Sequence, residues 1–238
     1  MKNSMGTIKK YVAIIIMLCE TVYDKIATNL LKVCITVGNS KIGKSLNVSI
    51  PAILSCGNCG ACMHYCYAIN DTIRRGWNGN VIHARARNWS IFKRDRDEFF
   101  NQIHDRMRRS RKIRTLRFHV EGEIMDLDHF DRIVKTAEMF PDWEIWMYSK
   151  MDALVDCYIS RHGALPKNLS VMRSQWGCDN EPVNPHGLGR FITVLPTDSV
   201  ETVDHVKANY WKCPYDCEIC KREGRGCIVN ETSWVYLH

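Results

Sequence analysis

Residues 116–148 determine the fold, and they read LRFHVEGEIMDLDHFDRIVKTAEMFPDWEIWMY. Apolar runs at Leu116–Val120 and Trp143–Tyr148 predict two strands. Between them, apolar residues recur at the spacing of one helix face, after Asp128 as a predicted N-cap. A strand, a helix and a second strand in this order are typical of a parallel sheet. The apolar helix positions are Phe130, Ile133, Val134 and Ala137.

The same alternation continues toward the C-terminus. Residues 151–161 suit a short helix, and Leu169–Met172 and Arg190–Leu195 predict two more strands. Upstream, residues 36–55 mix turn residues with short apolar runs and predict a loop with one or two strands. The chain is short for a full eight-fold barrel, which typically takes about 250 residues. We therefore expect an α/β fold with a compact or partial (β/α) barrel-like core and cysteine-rich loops near both of its ends.

Composition places the chain among ordinary globular proteins. It has 238 residues, 45% of them hydrophobic and 25% charged, which excludes a disordered chain, a fibrous chain and a multi-span membrane protein. The apolar run Tyr11–Cys19 is shorter than the roughly 20 residues that cross a bilayer. It predicts a buried strand or helix, or an N-terminal extension. The expected organisation is an extension over residues 1–36 and one domain over residues 37–238.

Cysteine is the most unusual feature of the composition, with 12 residues. Eight of them fall in two tight groups, in which short loops would make poor disulfides. Close spacing is instead typical of thiolates that bind metal in a reducing compartment. We therefore expect a cytoplasmic protein. The groups are Cys56, Cys59, Cys62 and Cys66, and Cys213, Cys217, Cys220 and Cys227.

The spacing of the first group, Cys56-x2-Cys59-x2-Cys62-x3-Cys66, matches the ligand run of bacterial ferredoxins, although Tyr67 replaces the proline that follows it there. A four-iron cluster offers four metal corners, so a short loop can place one thiolate on each. A zinc site usually separates two Cys-x2-Cys hooks by a dozen or more residues. A [4Fe-4S] cluster is therefore the favoured cofactor, with structural zinc or redox thiols as the alternatives.

The second group has the spacing Cys213-x3-Cys217-x2-Cys220-x6-Cys227. Its first three cysteines have radical-SAM spacing, but only 18 residues follow Cys220, whereas that motif normally precedes its barrel. We interpret the group as a second cluster site. Cys66 and Cys227 could each bind the cluster of the other group, as the last cysteine of a run does in two-cluster ferredoxins. The protein would thus carry one or two clusters. The isolated cysteines, Cys19, Cys34, Cys157 and Cys178, are predicted to be small buried side chains.

Polar residues follow the predicted strands directly, at the ends where α/β folds place their chemistry. Loop residues and helix caps produce the same pattern. As a set they nevertheless favour a pocket beside the clusters, in which a carboxylate and a lysine act as general acid and base or bind a charged substrate. The candidate catalytic residues are His119, Glu121, Glu123, Tyr148 and Lys150, with His238 as a further candidate.

Positive charge is concentrated in residues 81–117, which contain 12 Lys or Arg and 4 Asp or Glu. Here Phe92, Phe99, Ile103 and Met107 follow the spacing of one amphipathic helix, with Ser90 as its N-cap. Such a basic face is most often solvated, but it can also bind nucleic acid phosphates. Possible nucleic acid binding through 81–117 is therefore kept as an alternative.

Several segments together resemble the phage "gene product 88" family. The resemblance runs from about residue 37 to the end, and the cysteine loop and RFHVEGE are its most specific parts. It implies an iron–sulfur protein with a barrel-like α/β core and no settled reaction. It also implies a phage-encoded chain, which would act in the cytoplasm of the bacterial host. The family often has Gly-Asp at Gly122-Glu123 and Thr-Lys at Ser149-Lys150. Besides the C-terminal cysteines and His238, the segments are GNSKIG (38–43), NVSIPAILSC (47–56), CYA (66–68), ARARN (84–88), RFHVEGE (117–123) and WMYSK (146–150).

Two functional hypotheses follow from the sequence. The first is an iron–sulfur oxidoreductase or radical-type enzyme, with an unknown small-molecule substrate or electron donor and no membrane span. The second is a phage protein without catalysis, stabilised by zinc or a cluster, that binds nucleic acid through 81–117.

Overall fold

The computed structural model describes residues 11, 15, 32–38, 41–57, 62–75, 80–179 and 183–237, without the side chains of residues 63 and 75. Cys19, Cys59 and His238 lie outside the described residues. Of the predicted apolar N-terminal run, only Tyr11 and Ile15 are described, and both are helical and exposed.

The chain forms two compact units built from interleaved segments. Unit 1 comprises Met1–Thr36, Val48–Arg111 and His119–Met125. Unit 2 comprises Val37–Asn47, Lys112–Phe118 and Asp126–His238. The first cysteine group belongs to unit 1 and the second to unit 2.

Strands and helices alternate along most of the described chain. The strands are β1 (Thr36–Val37), β2 (Leu46–Val48), β3 (Thr115–Phe118), β4 (Glu144–Ser149), β5 (Leu169–Trp176), β6 (Arg190–Val194), β7 (Trp211–Lys212) and β8 (Ser233–Tyr236). The helices are α1 (Cys62–Tyr65), α2 (Tyr67–Arg75), α3 (Asn80–Arg94), α4 (Arg96–Arg109), α5 (Leu127–Met139), α6 (Asp152–His162), α7 (Val200–Asn209) and α8 (Cys217–Glu223), and a 3-10 turn spans Gly226–Val229.

The strands form one eight-stranded sheet in the order β1-β2-β3-β4-β5-β6-β8-β7. The pairs β3–β4, β4–β5, β5–β6, β6–β8 and β7–β8 are parallel, as the strand–helix alternation predicts. The predicted α/β class is thus confirmed. A closed barrel is not, because the strand order among the described residues ends at β1 on one side and at β7 on the other.

The two faces of the sheet in unit 2 differ in chemistry. Register partners place buried apolar side chains from β3, β4 and β5 on one face, for example Phe118, Met147 and Val171. In β6, Ile192 shares this face, where it packs in a cluster with Val206 of α7. The opposite face carries Arg117, Trp146 and Ser170 as register partners. Polar and aromatic residues therefore form the face that the second cysteine group contacts.

The helices α3 and α4 replace the single amphipathic helix predicted around Phe92 and Phe99. Ser90 lies inside α3, so its predicted role as an N-cap is wrong. The break falls at Asp95, whose side chain accepts a hydrogen bond from Glu98 N at 2.9 Å and caps α4. Phe92 and Phe99 contact each other across this break, with ring centroids 5.4 Å apart. Their spacing of seven residues matches two helical turns although the helix is interrupted between them.

The other predicted elements are confirmed with small shifts at their ends. The strand predicted over Leu169–Met172 continues to Trp176. The N-cap of α5 is Asp126 rather than Asp128, and it accepts a hydrogen bond from His129 N at 2.9 Å. Of the isolated cysteines, Cys178 is buried as predicted, whereas Cys34 and Cys157 are only half-buried.

A search of the described helices for one with the length and apolar character to cross a membrane found none.

Candidate functional site

The second cysteine group occupies a tight excursion between β7 and β8. Asp216 caps α8 by accepting a hydrogen bond from Glu218 N at 2.9 Å, so that Cys217 becomes the first residue of the helix. The N–H of Cys217 donates to the carbonyl of Lys41 at 2.7 Å. Gly43 has a positive φ of 63°, and a Cβ there would lie 1.7 Å from Oε1 of Glu218. The 41–43 loop of the GNSKIG segment therefore packs against the start of the cysteine helix.

The four thiols of this group lie close enough to influence one another electrostatically. Burial raises the pKa of Cys217 to about 11 and that of Cys227 to about 12. Repulsion from Cys213 contributes to both increases, and Cys220 also raises the pKa of Cys217 and Cys213. A group that must hold several thiolates together needs a compensating positive charge, such as a cation or a metal.

Cys227 is anchored directly to the polar face of the sheet. Its Sγ accepts a hydrogen bond from the hydroxyl of Tyr148 at 3.2 Å, and its carbonyl accepts one from the hydroxyl of Ser170. Ser170 is the second residue of β5, so this contact lies near the beginning of that strand. Burial raises the pKa of Tyr148 well above its ordinary value, which keeps the phenol protonated as a donor.

Arg117 supplies a positive charge beside the thiols. Its guanidinium lies over the rings of Trp146 and Tyr148, 4.6 Å and 4.9 Å from their centroids. The same charge lowers the pKa of Cys217, against the larger effect of burial. Among the described residues, the buried N–H donors of unit 2 without a hydrogen-bond partner include Arg117 Nε, Trp146 Nε1 and Trp211 Nε1. These donors and this charge suit an anionic, acceptor-rich group held by the cysteines.

Gly226 is the one position of the group where a side chain would crowd a thiol. Its φ is 76°, a left-handed conformation that favours glycine. An added Cβ would lie 3.3 Å from Sγ of Cys220 and 3.4 Å from Cδ1 of Trp211. The absence of a side chain thus keeps the space between Cys220 and the Trp211 ring clear.

The first cysteine group is described in part. The thiols of Cys62 and Cys66, one helical turn apart, are hydrogen-bonded, and this bond together with burial raises the pKa of Cys66. Sγ of Cys56 accepts a hydrogen bond from Ile53 N at 3.4 Å. Ile53, Ile69 and Cys66 form a small apolar cluster, so the loop lies against buried residues of unit 1.

No set of three or more His, Cys, Asp or Glu side chains within the described part of the chain is arranged to bind a single metal ion.

The predicted carboxylates of the RFHVEGE segment lie in the interior of unit 1. Glu121 forms an ion pair with Arg85, and the two side chains are only 2% and 9% exposed. Gly122 has a φ of 94°, and a Cβ there would lie 2.5 Å from the carbonyl oxygen of Ile50. The N–H of Glu123 donates to Ser55 Oγ at 3.0 Å, which ties the segment to the residue before Cys56.

The remaining candidate residues have different surroundings. His119 is fully buried in unit 1, and burial lowers its pKa to about 3, so the ring is neutral. In unit 2, Lys150 is exposed, donates to Ser174 Oγ at 2.8 Å and lies over the ring of Trp176. Of the five predicted catalytic side chains, Tyr148 contacts a cysteine of the second group. The expectation that all five line one pocket stays a prediction.

Sequence reasoning missed several residues that organise the two sites. Arg85 and Asn88 belong to the ARARN segment, for which no role at a site was predicted. The side-chain amide of Asn88 accepts from Cys34 N at 2.7 Å and donates to the carbonyls of Cys34 and Ser49. Arg117 was counted within the basic stretch and the RFHVEGE segment, but no role at a site was predicted for it. The available signal was an arginine or asparagine within the pattern of a strand or helix. Such residues are seldom buried unless paired, so their position there predicts a buried polar contact.

The cations of the 81–117 stretch are divided between the two units, and several have structural roles. Within unit 1, Arg96 lies over the ring of Phe92 and Arg108 pairs with Asp105 at 2.8 Å. In unit 2, Arg114 pairs with Asp142 at 3.2 Å. Nucleic acid binding through this stretch stays a prediction.

The fold and these sites define a mixed α/β protein with two cysteine groups, one of them mounted on the polar face of a parallel sheet. A model of the gene product 88 family matches residues 23–227, and the chain belongs to that family. The matched region includes all eight grouped cysteines. No curated protein and no solved structure matches the chain.

Proposed function

We propose that the protein is an iron–sulfur protein that holds a [4Fe-4S] cluster at the second cysteine group, with the first group as a second cluster site. The observation that carries the proposal is that the four thiols of this group lie near one another, with Cys227 bonded to the Tyr148 hydroxyl and Cys217 beside the charge of Arg117. In this proposal the thiolates that bind the iron come from Cys213, Cys217, Cys220 and Cys227.

The surroundings favour a cluster over a single zinc ion. A cluster adds sulfide acceptors to the cysteine sulfurs, so it can use N–H donors beyond the ligands themselves. Of the buried donors without hydrogen-bond partners among the described residues, Arg117 Nε, Trp146 Nε1 and Trp211 Nε1 belong to strands β3, β4 and β7. Gly226 leaves room beside Cys220, which suits a ligand larger than one ion.

A cluster at this place would supply one-electron transfer. The residues of this chain would tune it: Tyr148 donates to a ligand sulfur, and Arg117 stabilises negative charge on the ligands. The surrounding rings of Trp146 and Phe191, the latter 4.8 Å from Tyr148 by centroids, limit the access of water. A redox or radical-type reaction at an adjacent site, on a substrate still to be identified, is the activity that this arrangement supports best.

The curvature of the sheet is part of the same proposal. We propose that the parallel strands curve into a partial barrel whose concave face is the polar face with the second cysteine group. An experimental structure that gave a flat sheet would contradict this description.

Anaerobic purification of the full chain tests the function. Iron, acid-labile sulfide and zinc are quantified, and the reduced protein is examined by EPR. We expect about four irons for one cluster or about eight for two. Replacing Cys217 and Cys220 with serine should remove the iron of the second group only, and replacing Cys62 and Cys66 should remove that of the first. A folded, colourless protein with only zinc, or with no metal, would overturn the proposal.

A further inference from the structure

An open cleft of about 780 Å³ lies in unit 2 where β7 leads into the second cysteine group. It adjoins the second cysteine group, because Cys213 lines it together with the end of α7, β7 and the residues that follow β7. Three cations and three aromatic rings line it, and no Asp or Glu does. These residues are Lys207, Lys212 and Arg225, and Tyr210, Trp211 and Tyr215.

The cleft has a positive charge that is only partly balanced. Lys212 makes no ion pair with the described residues, and its ammonium lies 5.5 Å and 5.9 Å from the ring centroids of Trp234 and Tyr236. Lys207 approaches Asp204 at 3.9 Å, a distance at which an exposed pair contributes little. Two ammonium groups on one rim therefore provide contacts for a polyanion.

Flat stacking surfaces lie beside these charges. The guanidinium of Arg225 lies 4.5 Å from the centroid of the Trp211 ring, and it is held there by both carboxylate oxygens of Glu231. Glu231 balances the charge of Arg225, so the role of this arginine is that of a fixed planar surface. Bases stack on aromatic rings and on arginine planes.

We infer that this cleft binds single-stranded nucleic acid, with Lys207 and Lys212 contacting phosphates and the Trp211–Arg225 stack contacting bases. Grooves that combine cations with aromatic side chains are typical of binding to unpaired strands, in which the base faces are accessible. The cleft is open, so an extended strand can enter from the side. A duplex would offer its phosphates but not its base faces. An acidic protein would use the lysines and leave the rings without a role.

Fluorescence anisotropy with a labelled oligothymidylate tests this inference on the anaerobically purified full chain. At about 50 mM salt we expect binding that weakens steeply toward about 200 mM. The double variant Lys207→Glu/Lys212→Glu should bind at least about tenfold more weakly. The slope of log affinity against log salt should become shallower by about 1.4, because each of the two lost phosphate contacts to a single strand contributes roughly 0.7.

A matched charge reversal in the basic stretch separates the two possible sites. Arg108→Glu/Arg109→Glu changes the same charge on exposed residues of α4 and should leave oligothymidylate binding unchanged. Ultraviolet crosslinking of an iododeoxyuridine strand to the unmodified chain should map to residues 210–215. Loss of binding in the α4 variant, with crosslinks in residues 96–109, would overturn the inference.

Two further outcomes would also overturn it. One is absence of oligothymidylate binding at low salt. This includes the case in which the chain binds duplex DNA, or an acidic protein such as a flavodoxin, but no single strand. The other is equal binding by the unmodified chain and the Lys207→Glu/Lys212→Glu variant. Iron and sulfide are measured in the same preparations. The result on the cleft can therefore be separated from the result on the cluster, on which this inference does not depend.

Discussion

The hydroxyl of Tyr148 donates a hydrogen bond to Sγ of Cys227, and the 3.2 Å contact joins a strand of the central sheet to the last cysteine of the second group. Tyr148 is half-buried, and burial raises its pKa well above the ordinary value, so the phenol remains a donor at physiological pH. A donor on a ligand sulfur stabilises the more electron-rich state of a bound cluster. The contact therefore ties the fold to the redox property that we propose for the site.

Replacing Tyr148 with phenylalanine should lower the reduction potential of that cluster. The lost hydrogen bond contributes about 1 kcal/mol, which for a one-electron couple corresponds to roughly 40 mV. An EPR-monitored redox titration measures the shift, and iron content should stay unchanged. Tyr158→Phe serves as the control, because the Tyr158 hydroxyl bonds Asp131 and no cysteine. Equal potentials in all three proteins would assign Tyr148 a purely structural role.

Two glycines near the C-terminal cysteines allow backbone strain to be separated from crowding of the site. Gly224 and Gly226 have φ values of 62° and 76°, yet only at Gly226 would a Cβ meet Cys220 and Trp211. Each alanine variant should lose about 1 kcal/mol of stability from the left-handed conformation.

Only Gly226→Ala should also lose iron from the second group. Iron per chain and the visible spectrum measure the difference. Equal iron content in the two variants would show that the space between Cys220 and Trp211 is not needed for metal binding.

The sheet could be predicted from the sequence because its strands are apolar runs, separated by helices with one apolar face. The break between α3 and α4 was harder to predict. Phe92 and Phe99 keep the spacing of one continuous helix, while Asp95 between them caps a new one. The local signal, an aspartate three residues before a glutamate, was present but weaker than the apolar periodicity.

The candidate site could be predicted only where its residues are close in the sequence. Both cysteine groups follow from spacing, since ligands within one short loop show their pattern locally. The partners of these groups come from distant segments. Arg117 is 100 residues from Cys217, and Arg85 of α3 pairs with Glu121 in the loop between β3 and α5. Such pairs depend on strand order and helix packing, which a single sequence does not specify.

A second pair of glycines tests how the RFHVEGE segment packs in unit 1. Gly122 and Gly163 have similar φ values of 94° and 90°, but only Gly122 faces a backbone carbonyl, that of Ile50 at 2.5 Å from an added Cβ. Gly163→Ala should cost about 1 kcal/mol from strain alone.

Gly122→Ala should cost about 1–3 kcal/mol more, because a backbone atom cannot move away as a flexible side chain can. Urea denaturation measures both variants, with the transition of each unit analysed separately. If Gly122→Ala were no less stable than Gly163→Ala, the close approach of Gly122 to Ile50 would be contradicted.

His119 should make the stability of unit 1 depend on pH. Burial lowers its pKa from 6.5 to about 3, so the folded state holds a neutral ring while the unfolded state takes up a proton below pH 6.5. The contribution is fully present above that value and is lost as the pH falls toward 3, by up to about 1.4 kcal/mol per pH unit. Between pH 3 and pH 6.5, the free energy of unfolding from denaturation curves should therefore change less with pH for His119→Phe than for the unmodified chain. The exposed His162 provides the control, since His162→Gln should keep the original slope. An unchanged slope in His119→Phe would mean that the ring is not held neutral by burial.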